Sequence, residues 1–276
     1  MRLLAKHRNF ATIRLRERLY RGKAHGTIAH RINHLKLMRA TSPIRFLSAF
    51  AICLALAPQL VVAASCKIPG RCTVPDRLAQ FGAAASARLA PHLARAGVAY
   101  PPHAVALIAF KDEASLQLYA RAKVGGWRFV RAYPVLAASG DLGPKLKQGD
   151  SQVPEGSYRV ELLNPNSSYH VSLRLNYPNG FDRAMAKRDK RTNLGGDIMI
   201  HGKSVSIGCL AMGDRAAEEL FTLAAQVGLE NVSVLLSPTD FRVKPSPALP
   251  ANLPAWTRVL YRDLESALGE FPQPQD

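Results

Sequence analysis

Between residues 104 and 175 the chain returns again and again to short apolar runs at hairpin spacing, which commits it to a mostly β fold. Ala104–Phe110 is an unbroken apolar run, and residues 115–121 alternate, with Leu116, Leu118 and Ala120 on one face. Gly125-Gly126 makes a turn and residues 127–135 supply a third strand, so the spacing predicts an antiparallel meander. A long glycine-bearing loop follows. Further strands are expected at 158–163 and 170–175, joined by a turn at Asn164-Pro165-Asn166, and a closing strand at 231–236. Helical spacing flanks this body. Residues 73–97 carry Val74, Leu78, Phe81, Leu89 and Leu93 as a stripe, interrupted by Pro91. Residues 213–227 are amphipathic through Ala216, Leu220, Leu223 and Ala224. Beyond a proline-rich connector, Trp256, Leu260, Leu264 and Leu268 form a packing stripe. The fold class expected is mostly β with peripheral helices, including N- and C-terminal ones. Residues 187–191 (Lys-Arg-Asp-Lys-Arg) read as a charged loop, either simply solvated or, being close before His201, facing a substrate.

The net charge of +17 is unevenly spread. Residues 1–45 hold 12 Lys and Arg against the single acid Glu17, so the rest of the chain is only moderately basic. That balance suits an anionic polymer surface as well as ordinary solvation, and no helix-turn-helix, RNP or zinc-finger pattern supports nucleic-acid binding. Arg39 and Arg45 precede an apolar run at 46–57. Pro58-Gln59 breaks the run, and Val61-Val62-Ala63-Ala64 offers small residues for cleavage. This is the order of a secretory signal, and the run is short for a membrane span. The division expected is therefore a basic extension at 1–37 whose true start is Met38, a signal peptide at 38–64, an N-terminal helical segment at 65–102, a catalytic domain at 103–237, and a connector with C-terminal helix at 238–276. The export route implies a periplasmic protein; the competing reading makes the apolar run a signal anchor with a basic cytoplasmic tail. Cys53 would leave with the signal, Cys66 and Cys72 are close enough for a small disulfide, and Cys209 is left over.

The chemistry concentrates in residues 197–212, Asp-Ile-Met-Ile-His-Gly-Lys-Ser-Val-Ser-Ile-Gly-Cys-Leu-Ala-Met. An apolar strand delivers His201, a polar loop follows, and Gly208-Cys209 is expected to open a helix. There the dipole would favour a thiolate and the N–H groups of Gly208 and Cys209 could form an oxyanion hole. His201 suits the role of proton acceptor near neutrality. Each residue alone also fits a core position, and only the pair points to a nucleophile. A zinc site is the weaker alternative, since it would need a third ligand and His170 lies far off in sequence; no metal is expected.

Several ordered motifs resemble the YkuD-type L,D-transpeptidase domain, and more narrowly its YafK-like branch. They are Gly143-Pro144-Lys145, Gln148-Gly149-Asp150, Pro154-Glu155-Gly156 with Tyr158, Tyr177-Pro178-Asn179, Phe181-Asp182-Arg183-Ala184, Met199-Ile200-His201-Gly202, and Val205-Ser206-Ile207-Gly208-Cys209 with Ala211-Met212. The resemblance covers about half the chain. It implies an L,D-transpeptidase-like β-sandwich, with a helix after the catalytic cysteine, that acts on peptidoglycan stem peptides without a cofactor. Cys209 would be the nucleophile, His201 the proton donor and acceptor, and Ser206 an orienting residue or a helix cap. Ile207 stands where most members have a second histidine, the loop from His201 to Cys209 is short, and Leu210-Ala211 lacks the basic residue that commonly follows the cysteine. The same acyl-thioester serves crosslinking, attachment of a wall-linked lipoprotein, or hydrolysis; a non-catalytic wall-binding module is the reading from another class. No specific protein partner is implied.

Overall fold

The computed structural model describes Cys66 and residues 70–274. The expected basic extension and signal segment, Cys53 included, lie outside the described residues. Cys66 and Cys72 are joined in a disulfide. The chain then enters α1 (Val74–Arg77), a π-helical turn (Leu78–Gly82) and α2 (Ala83–Arg95). A capping box starts α1: the Thr73 hydroxyl accepts from the Asp76 N–H at 3.3 Å while the Asp76 carboxylate accepts from the Thr73 N–H at 2.7 Å. Pro91 does not interrupt the helix as expected. It lies on the solvent side of α2, opposite the buried Ala85, Leu89 and Leu93, where water can satisfy the carbonyl it leaves unpaired.

Nine strands among the described residues then form one sheet in the order β3-β2-β1-β9-β5-β6-β7-β8-β4. They are β1 (Ala104–Phe110), β2 (Ser115–Arg121), β3 (Arg128–Pro134), β4 (Ala137–Ala138), β5 (Gly156–Asn164), β6 (Ser172–Leu175), β7 (Met199–His201), β8 (Leu210–Ala211) and β9 (Val232–Ser237). The expected meander β1-β2-β3 is present and antiparallel. Two pairings, β1 with β9 and β7 with β8, are parallel. The sheet curls at β5. Its first half pairs with β9 and its second half with β6, and the register shifts between Val160 and Leu162, where an irregularity bends a strand. One curled sheet, rather than two separate ones, thus encloses the core.

The apolar run of β1 is explained by burial on both faces. Val105, Leu107 and Ala109 join the core inside the curl, with β6, β7, β8, the N-terminal helices and α4 (Asp214–Val227). Ala106, Ile108 and Phe110 point the other way, into a second cluster under α5 (Thr257–Leu268), where Leu260, Leu264 and Leu268 of the C-terminal stripe pack beside Trp256. Fully burying each such side chain stabilises the fold by about 1.5–3 kcal/mol. One helix lay unread in the sequence: α3 (Gly180–Arg188) takes in the start of the expected charged loop. Asn179 and Asp182 cap it reciprocally, at 3.0 and 2.8 Å.

Candidate active site

Alternation along β7 and β8 decides which side chains meet. Ile200 and Leu210 are register partners and both enter the core, so Met199, His201, Cys209 and Ala211 face the other way. Two residues along and one strand across, the Cα atoms of His201 and Cys209 stand roughly 8 Å apart by ordinary strand spacing. The register therefore puts the two candidate residues on one face of adjacent parallel strands, His201 closing β7 and Cys209 lying just ahead of β8.

His201 is 1% exposed. Its Nδ1 lies 2.6 Å from the Gly202 carbonyl oxygen. A carbonyl only accepts, so Nδ1 carries the proton and the neutral ring keeps its lone pair on Nε2. Burial lowers the imidazole pKa, the Gly202 carbonyl partly opposing it, so the neutral form prevails around neutrality. Tyr169 stacks on the ring at 4.5 Å between centroids.

Cys209 is half-buried, and its thiol donates to the Asp197 carbonyl at 3.7 Å. It does not open a helix. Leu210-Ala211 instead form β8, wedged between β7 and β4, and α4 begins only at Asp214. The reason is Leu210: two strands bury it, and a helix there would lose both ladders. Without a helix dipole the thiolate is not favoured. Burial raises the thiol pKa and the Asp197 carboxylate adds to the rise, against the Met199 N–H and Lys145. At rest the site holds a neutral thiol beside a neutral imidazole.

Ser206 caps no helix. Its hydroxyl donates to the Cys209 carbonyl at 2.6 Å and accepts from the Cys209 N–H at 3.0 Å, clamping the backbone of the nucleophile candidate. The Gly208 N–H donates to the Ser139 hydroxyl at 2.5 Å. Both N–H groups expected to form an oxyanion hole are thus already engaged by hydroxyls. Gly208 is required by its φ of +97° rather than by crowding, because a Cβ there would make only ordinary contacts. Gly202 is the reverse case: a Cβ would lie 2.5 Å from Asp214 Oδ1 and 2.7 Å from the Tyr169 carbonyl.

Ile207 is 79% exposed and Val205 56%, so the loop presents apolar side chains where a second histidine was absent. The ring of His170 bonds Glu218 at 3.1 Å. Among the described residues no group of three His, Cys, Asp or Glu could hold a metal ion. Of the motif residues upstream, Asp150 organises its own loop by accepting from the Leu146, Lys147 and Gln152 N–H groups. Glu155, 1% exposed, accepts from the Gly143 N–H at 2.7 Å and pairs with Lys111 at 3.1 Å. Sequence reading missed Ser139 and Tyr169; both reach the site from loops with no local pattern. Cavities of about 710, 640 and 810 Å³ are lined by residues other than Cys209.

Residues 107–234, which include every residue of this site, match the sequence model of the YkuD family, the L,D-transpeptidase catalytic domain. This segment is similar to YkuD-type domains, and the match takes in a little under half of the chain. A curated relative from Escherichia coli strain K12, named "Putative L,D-transpeptidase YafK", is 38% identical over 144 residues, which are 49% of this chain and 55% of the relative. A protein of the same name from Escherichia coli O157:H7 matches equally. The chain spans about half the length of the curated relatives it matches. Among solved structures, the helical cell shape determining protein Pgp2 from Campylobacter jejuni aligns at 23% identity and a TM-score of 0.40, covering 49% of this chain and 48% of that one. L,D-transpeptidase 1 from Mycobacterium tuberculosis aligns at 16% identity and a TM-score of 0.29, covering 49% and 62%. The family is one of catalytic domains, and the matched segment here runs from within β1 to the middle of β9.

Proposed function

We propose that the chain is a cysteine acyltransferase of the cell wall, an L,D-transpeptidase that works on peptidoglycan stem peptides through a thioester on Cys209. The observation that carries this reading is the 2.6 Å bond from His201 Nδ1 to the Gly202 carbonyl, which leaves Nε2 as the basic nitrogen on the face Cys209 shares. In the step proposed, the thiol turns from the Asp197 carbonyl and gives its proton to Nε2 as sulfur bonds the peptide carbonyl carbon. The C–N bond then breaks, and the imidazolium returns the proton to the leaving D-alanine amine. An acceptor amine attacks the thioester, forms a new amide and restores the thiol; water in its place would give a free acid. The Gly208 N–H can serve the oxyanion once the Ser139 hydroxyl turns aside.

The reading extends to location. The Cys66–Cys72 bond suits an oxidising compartment, and with the apolar run at 46–57 it supports export to the periplasm with residues 38–64 acting as a signal. The domain limits at 103–237 belong to the same proposal.

Incubation with a disaccharide-tetrapeptide, read by intact-protein mass, tests the chemistry. The expected result is an acyl adduct on the wild-type protein and none on Cys209→Ala or His201→Ala, both folded by circular dichroism. A new crosslinked dimer identifies transfer; free tripeptide product without a dimer identifies the hydrolase reading on the same residues. Turnover by Cys209→Ala, or an unreactive wild-type thiol, would overturn the proposal and favour a non-catalytic wall-binding module.

A further inference from the structure

The connection from α3 to β7 borders a cavity of about 810 Å³ whose walls include Arg183, Lys187, Lys190 and Arg191 and no acidic residue. Arg191 is already paired with Asp189 at 3.2 Å and donates to the Leu146 carbonyl at 2.6 Å. Lys187 and Lys190 are exposed and, among the described residues, have no carboxylate within ion-pairing distance. Lys187 in the last turn complements the dipole of α3, which is an ordinary structural role. Arg183, on the same wall, donates from its guanidinium to the Pro178 carbonyl, so Lys190, which lies past the helix, is the cation that neither role explains.

The cavity is tied to the thiol through the backbone. Its lining ends at Gly195, two residues before Asp197, whose carbonyl accepts from Cys209 Sγ at 3.7 Å. Two residues span at most about 7 Å, so the rim lies within roughly 13 Å of the sulfur. An extended peptide covers that distance in about four residues. Asn193 and Tyr177 fix this path, the Asn193 carbonyl by accepting from the Gln148 N–H at 3.0 Å and Tyr177 by donating to the Leu194 carbonyl at 3.1 Å. Leu210 and Ala211, after the cysteine, are buried in β8 and offer no cation of their own.

We infer that this cavity is an anion subsite that holds a free carboxylate of the acyl-donor peptide whose carbonyl reacts at Cys209. The inference rests on the acyltransfer reading above. Carboxylates on a chain leading from the sulfur fit better than a membrane surface, because none of the large exposed apolar side chains lines this cavity. The two unpaired lysines would act as surface point charges, so the attraction is screened by salt.

The test uses the full chain and its Lys187→Glu/Lys190→Glu and Lys187→Gln/Lys190→Gln variants. The probes are a fluorescent disaccharide-tetrapeptide and the same compound with its carboxylates amidated. In a Cys209→Ala background the charge reversal is expected to weaken binding of the free acid about tenfold and the Gln pair about threefold. Amidation should weaken binding to the native lysines to a similar extent and make it insensitive to salt. With Cys209 present, KM for acyl-enzyme formation should rise while kcat holds. Wild-type protein that acylates, with variants of unchanged KM and binding, would overturn the subsite while leaving the acyltransfer reading intact. Absence of any acyl-enzyme on the wild type would instead remove the reading beneath it. Loss of binding to vesicles of anionic phospholipid in the variants, with muropeptide binding untouched, would overturn the inference in favour of a membrane surface.

Discussion

Replacing Gly202 by alanine puts a methyl group where three atoms already stand: Asp214 Oδ1 at 2.5 Å, the Tyr169 carbonyl oxygen at 2.7 Å and His170 Cβ at 3.0 Å. The first could rotate, but the second is backbone and the third is held by the bond of His170 to Glu218. Gly202 itself must move, and with it the carbonyl that accepts from His201 Nδ1. Overpacking of this kind costs about 1–3 kcal/mol and a strained or lost hydrogen bond about 1 kcal/mol more, for roughly 2–4 kcal/mol of stability. In a domain of this size that lowers Tm by about 4–16 °C. Acyl-enzyme formation should fall further than stability explains, because a freed imidazole populates both tautomers and orientations; about 1.4 kcal/mol of lost orientation is a factor of ten in rate. Gly196 is the control in the same segment, since its φ is not positive and a Cβ there meets nothing within 4 Å. Gly196→Ala is expected within about 0.5 kcal/mol of wild type. Thermal unfolding and the rate of adduct formation by intact mass, measured on both variants below their Tm, supply the comparison. If Gly202→Ala melted and acylated like Gly196→Ala, the claim that the Gly202 carbonyl sets the histidine would be refuted.

Two further outcomes follow from the same geometry. Ser206→Ala removes both bonds that clamp the Cys209 backbone and should cost about 1–3 kcal/mol, with slower acylation and with iodoacetamide alkylation changed less than acylation; equal rates with wild type would show that the clamp is idle. The pH dependence has a definite sign. Burial lowers the His201 pKa, so acylation should rise with pH through a range below that of free histidine and be flat at neutrality, while alkylation of the raised Cys209 thiol should climb only above the free-cysteine range. For stability, the unfolded chain takes up the histidine proton first. The contribution of His201 is therefore fully present above about pH 6.5 and is lost as pH falls through the lowered folded value. Acylation that switches on only above neutrality would contradict a neutral resting imidazole.

The parts of the site that were legible in the sequence are those that a strand or a φ angle specifies locally. The apolar run before His201 fixed a strand end, and the glycine at 208 stands where φ is +97°, though the expected helix start there is absent. Helix α3 went unread although Asn179 and Asp182 cap it reciprocally, because its charged end reads as loop by composition. Leu210-Ala211 misled because two apolar residues before an amphipathic stretch suit a helix start as well as a strand; only the places waiting beside β7 and β4 choose between them. Ser139 and Tyr169 carry no signal at all, since their roles exist only once distant loops meet at the sheet edge.

Sequence by itself determined the β meander, the apolar strand β1, the C-terminal packing stripe and the two side chains on which the proposed chemistry rests, because alternation and apolar spacing are properties of neighbouring residues. Tertiary structure decided the protonation at rest and the state of the oxyanion donors. A thiol raised by burial, an imidazole whose tautomer is set by one carbonyl, and N–H groups already held by Ser139 and Ser206 all depend on what the curled sheet and its loops bring within a few ångströms. Desolvation and hydrogen bonding act through space, and the order of residues along the chain does not encode them one position at a time.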